Sequence, residues 1–263
     1  MTKINNYKTW IALLQLVNVQ QNGQIPPSVF NTWYNEVNDW YFNFLANRYQ
    51  LNQIITDYLD PFVKRVNVVG APQPGQNFAL FPKPADFEFF LNASVLRQSE
   101  ERTCFFNKDL PVIMGNGKAK QYEDPDIAAM KVQFAGAGIE EKIINMVDTM
   151  RWPSCLNHVT KGPTWNDPKM TQYSSGYLVS PVTIPNIVLT YLKTPAASVF
   201  NYTISAQDIA QYVDAASTQL DWSEQVTPVF LAKLVTKYGL YINDEGITKM
   251  GDDMLMLALK DQQ

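Results

Sequence analysis

Residues 26–45 read PPSVFNTWYNEVNDWYFNFL, a stretch with seven aromatic side chains, four asparagines and no positive charge. Val29, Phe30, Trp33, Tyr34, Val37, Trp40, Tyr41, Phe44 and Leu45 step by threes and fours, the spacing of one helical face. Pro26 and Pro27 suit the start of a helix, where a missing N–H loses no bond. Leu51, Ile54, Ile55, Tyr58 and Leu59 continue the pattern to Asp60 and Pro61, so the spacing predicts one long helix or two joined near Asn47. The opposite face carries Asn31, Asn35, Asn38, Asp39 and Asn43, polar yet almost uncharged. Aromatics that stack on bases normally come with a cationic track, and Arg48 is the only basic residue between Ser28 and Asp60, so the stripe reads as packing. A neutral amide face can lie against another subunit without desolvating charge, which makes Asn31, Asn35, Asn38 and Asn43 the candidate partner interface. Aspartate at Asn31, Asn35 or Asn38 is then expected to spare the isolated fold.

Upstream, Ile4, Tyr7, Ile11, Leu14 and Val17 or Asn18 also share a helical face, with Gly23 as the stop. Lys3 and Lys8 precede the apolar run WIALLQLV, but the run is short, contains Gln15 and leads into NVQQNGQ with no small-residue cleavage site. An amphipathic packing helix is expected there rather than a signal peptide. No stretch approaches the roughly 20 apolar residues of a membrane span.

Downstream the texture changes. Residues 66–86 hold Pro72, Pro74, Pro82 and Pro84 with Gly70 and Gly75, which predicts an extended connector. Residues 87–200 read as short strands and long loops, with a strand and an Asn116–Gly117 turn in PVIMGNGKAKQYEDP. One helix is expected to interrupt them, with Ile139, Ile143, Met146, Val147 and Met150 on its face. Residues 201–263 turn helical again: Ser205 and Asp208 fit a capping box, Val226–Tyr238 forms a helix stopped by Gly239, and a last helix begins near Asn243 carrying Met250, Met254, Leu255 and Leu257. The expected fold is therefore α+β, with a helical part over 1–65 and another over 201–263 around an irregular β middle, together one intertwined unit.

Charge and motifs exclude more than they assign. With 263 residues, a net charge of −4 and 46% hydrophobic residues, the chain can build a large core but has no basic patch for nucleic acid or anionic membrane. Cys104 and Cys155 are too few for a disulfide framework or a thiolate zinc site, which favours a reducing compartment. Gly115, Gly117 and Lys118 suggest a phosphate loop, but Val112 stands where its first glycine belongs and Ala119 where its hydroxyl belongs. Gly136 and Gly138 suggest a dinucleotide fingerprint, but Glu141 replaces its third glycine. Cys155 and His158 could be the start of a nucleophilic or metal site, with Asp167 the nearby carboxylate; two further metal ligands or an oxyanion donor are missing. Glu100–Glu101, Glu140–Glu141 and Asp252–Asp253 are adjacent in sequence, so their side chains diverge. No catalytic, cofactor-binding or metal-binding residue is assigned, and no cofactor is expected. The rival reading is a hydrolase using Cys155 and His158, and another is a helical protein-binding module.

The stretch LLQLVNVQQNGQIPPSVFNTWYNEVNDWYF is similar to the start of a family of tailed-phage virion proteins found especially in crAss-like and related phages of Bacteroidetes. The matching residues are Asn22, Gly23, Ile25, Pro26, Phe30 and Asn31. FPKPADF, LVSPVTIPNIVLTYLKTPAASVFNY and LVTKYGLYINDEGI resemble further family segments in the same order, whereas QIPP replaces an aromatic-bearing turn and the middle third matches poorly. The resemblance implies a structural protein of the virion, a head-to-tail connector or neck ring of about twelve copies joined to the portal and to other neck or tail proteins. It implies no enzymatic activity, no membrane partner and no sequence-specific DNA binding, only passive contact with the passing genome.

Overall fold

The computed structural model describes residues 2–17, 25–49, 53–98, 139–158, 162–205 and 210–260. The chain is α+β: helices near both ends enclose a β-rich middle in sequence. Two compact units divide it, one of Met1–Lys64, Asp86–Phe90 and Tyr191–Gln263, the other of Arg65–Ala85 and Leu91–Thr190. The two terminal helical parts thus belong to one unit, although about 130 residues of sequence separate them.

In the first unit, α1 (Asn6–Val17), α2 (Pro27–Ala46) and α3 (Gln53–Leu59) supply the N-terminal helices. α1 turns inward a face only partly the one its apolar spacing suggests: Ile4 and Val17 are buried as expected and Ile11 and Leu14 half-buried, but Asn6, Thr9 and Leu13 are buried too, while Tyr7 is exposed. Hydrophobic periodicity cannot register a buried Asn6, whose partners lie about 200 positions away. α2 buries Phe30, Tyr34, Val37, Asn38, Tyr41, Phe42 and Leu45 and leaves Trp33, Trp40 and Phe44 half-buried. Tyr41 and Phe62 meet Trp222 at centroid distances of 5.0 and 4.4 Å, and Tyr34 meets Phe230 at 5.5 Å, so the aromatic stripe is core.

The first sheet draws on β1 (Val63–Val69), β4 (Phe87–Gln98) and β9 (Asn186–Lys193). With β5 (Ile139–Ile143) they form a sheet of order β1-β9-β4-β5. The second unit also holds β2 (Ala71–Pro72), β3 (Ala79–Pro82), β6 (Asn145–Met146), β7 (Lys169–Tyr173) and β8 (Gly176–Ser180), in a sheet of order β2-β3-β8-β7-β6. Alternation sets its faces: Ala79 and Phe81 of β3 are buried, and opposite them stand Val179 and Tyr177 of β8, buried as well. The Pro/Gly-rich stretch after residue 66 is thereby built into sheets, its prolines falling at strand ends and turns.

The helix expected around Ile139–Met150 is instead β5 and β6. Ser94 pairs with Ile143 and Leu96 with Glu141, so the backbone bonds go to a neighbouring strand, and Ile143 and Met150 face solvent while Ile144 is the buried residue. β-branched isoleucines at mixed spacing fit a pleated surface as well as a helix, and the partner strand decided between them. A five-residue α4 (Trp152–Leu156) follows. Gly23, Cys104, Gly115, Asn116, Gly117, Lys118, Gly136, Gly138 and Asp208 lie outside the described residues.

Back in the first unit, β10 (Tyr202–Ile204) and β11 (Ala210–Tyr212) pair antiparallel before the helices return. α5 (Thr227–Tyr241) then runs through Gly239 rather than ending there. The stop is Asn243, at φ 58°, followed by Asp244, whose carboxylate accepts from Gly246 N and Ile247 N at the start of α6 (Glu245–Lys260). Gly239 serves a close approach: a Cβ there would lie 2.5 Å from Thr248 N. Gly251 faces Thr236 in the same way and more closely still, so each helix presents one glycine to a threonine of the other.

Candidate functional site

The asparagine face of α2 was the sequence's candidate, and it has a defined task within the chain. Asn31 Nδ2 donates to Phe200 O at 3.2 Å and Asn31 Oδ1 accepts from Phe200 N at 2.9 Å. One turn on, Asn35 Nδ2 donates to Ser198 O at 3.0 Å and its Oδ1 accepts from Ser198 N at 2.7 Å. The match is geometric. Residues four apart on a helix rise about 6 Å, and alternate residues of a strand advance about 6.6 Å, so two carboxamides reproduce the edge of a neighbouring strand. The other edge of Ser198–Phe200 pairs through Val199 with Thr218, at 3.1 and 2.8 Å. Only a group that both donates and accepts can do this.

Buried Asn6 completes the arrangement. Its Nδ2 lies 3.3 Å from Ser198 Oγ, Val199 O and Thr218 O, its Oδ1 accepts from Tyr212 OH at 3.0 Å, and its backbone N donates to Gln219 Oε1 at 2.7 Å. Gln219 Nε2 donates to the same Tyr212 hydroxyl at 2.9 Å. Asn38, also buried, accepts from Trp222 Nε1 at 2.7 Å. Asn31, Asn35 and Asn38 therefore direct their amides inward, against the expectation that charge at these positions would leave the fold alone. Asn43 is exposed, its amide donating to Asp39 O.

Cys155 sits half-buried on α4 of the second unit as a free thiol. Asp167, the carboxylate expected near it, accepts from Lys169 Nζ at 2.7 Å and Asn145 Nδ2 at 3.0 Å, and the Lys169 bond holds its carboxyl below the usual range. That carboxylate is engaged in an ion pair with Lys169. No group of three or more metal-ligating side chains occurs among the described residues.

Other ionic clusters are also closed. Asp86 accepts from Lys64 Nζ at 2.7 Å and Tyr191 OH at 2.6 Å; Glu141 accepts from Ser94 Oγ at 2.5 Å and pairs with Arg65 at 2.6 Å; Asp221 pairs with Lys3 at 2.8 Å and Lys193 at 3.3 Å. In each, hydrogen bonds from these partners hold the carboxyl below its ordinary pKa.

What the sequence located but did not interpret is the outer side of α6. Gly251 is its one buried residue, while Met256 and Leu257 are 72% and 68% exposed and Met250 is also exposed. Leu240 and Tyr241, at the end of α5, are exposed too.

Comparison of the sequence with protein-family models and with curated proteins finds no match. No described helix is long and apolar enough to cross a membrane.

Proposed function

We propose that the chain is a structural protein of a tailed-phage virion, a subunit of the head-to-tail connector or neck ring that links portal to tail around the DNA exit channel. The observation that carries this reading is the exposure of Met250, Met256 and Leu257 on α6 and of Leu240 and Tyr241 at the end of α5, because large apolar side chains left in solvent suit a protein that assembles. The resemblance of the N-terminal stretch and of three later segments to virion proteins supplies the setting. About twelve copies would close a ring through a heterologous contact, in which two different surfaces of the subunit meet. The net charge of −4 suits a conduit wall that passing phosphates do not adhere to. The test is mass spectrometry of purified particles, with electron-microscopic averaging of the neck. The chain is expected in stoichiometric amounts at the head-tail junction, and its absence from clean particles overturns the reading.

A further inference from the structure

We draw no further inference here: the strongest candidate, the exposed apolar side of α6 with Met250, Met256 and Leu257, carries nothing because nothing in the structure shows what covers it.

Discussion

Replacing Asn35 by aspartate changes one atom type in a half-buried strand mimic. The asparagine makes three bonds, accepting from Ser198 N at 2.7 Å and donating to Ser198 O and Asn31 O, both at 3.0 Å. The carboxylate keeps the first, strengthened by about 1 kcal/mol through its charge. It loses both donor bonds, at about 1 kcal/mol each, and leaves two carbonyl oxygens facing an anionic oxygen, which adds about 1 to 2 kcal/mol. The net loss is about 2 to 3 kcal/mol at pH 7, which at about 3 °C per kcal/mol for a chain of this size lowers Tm by about 6 to 9 °C. Differential scanning calorimetry measures it, with Asn43→Asp as the control at the exposed end of the same face, expected within about 0.5 kcal/mol of the parent. The pH dependence has a definite sign. Facing two carbonyls, the new carboxyl is favoured in its protonated form, so its folded pKa stands above its unfolded value. The deficit is therefore smallest below a pH of about 4 and opens as pH rises through the folded pKa. If Asn35→Asp melted within about 1 °C of the parent at pH 7, or if Asn43→Asp fell equally far, the side-chain ladder would carry no stability and the reasoning would be wrong.

Gly251→Ala places a methyl group against the backbone of Thr236, where helix backbones and not flexible side chains must move; a loss of about 2 to 4 kcal/mol is expected in urea unfolding, and a loss under about 0.5 kcal/mol would show that the two helices separate freely. Asp221→Asn removes a carboxylate whose pKa is depressed by hydrogen bonds from Lys3 and Lys193. The parent's advantage, about 1 kcal/mol in this partly exposed setting, is present above the unfolded carboxylate pKa and disappears as pH falls through the folded one, so parent and variant should converge near pH 2 to 3 in acid titrations followed by circular dichroism.

The elements that sequence made legible are those whose determinants are local. The α2 stripe needed only helical spacing, and Phe30, Tyr34, Val37, Tyr41 and Leu45 are all in the core. Errors arose where a distant segment decides. Gly239 has the composition of a helix stop, and only the crossing of Thr248 shows why it lies inside α5. Ile139–Ile143 becomes strand because β4 lies alongside it, 45 or so positions earlier in sequence, and Asn145–Met146 because β7 does, 24 positions later. The asparagines of α2 were recognisable as an unusual polar face, but their partners are 163 to 184 positions away, so sequence could not show that three of the four are bound within the chain. The apolar residues of α6 were visible in sequence; that Met250 and Leu257 stay exposed was visible only in the structure.

The extended segment that Asn31 grips lies 169 residues downstream, and Thr2 and Ile4 bond to Glu224 and Trp222. At a synthesis rate of about 5 to 20 residues per second, Asn31 leaves the ribosome about 10 to 30 s before Phe200 does. Through that interval Phe30, Tyr34 and Tyr41 have no Phe200, Trp222 or Phe230 to pack against. Residues 65–85 and 91–190, by contrast, have emerged in full before residue 191 and can complete their own unit first. Maturation is therefore ordered in time: the β-rich unit sets while the N-terminal helices wait. A fragment ending before Ser198 would keep those aromatics uncovered, so the N-terminal helices are products of the completed chain and not a module that can be cut out.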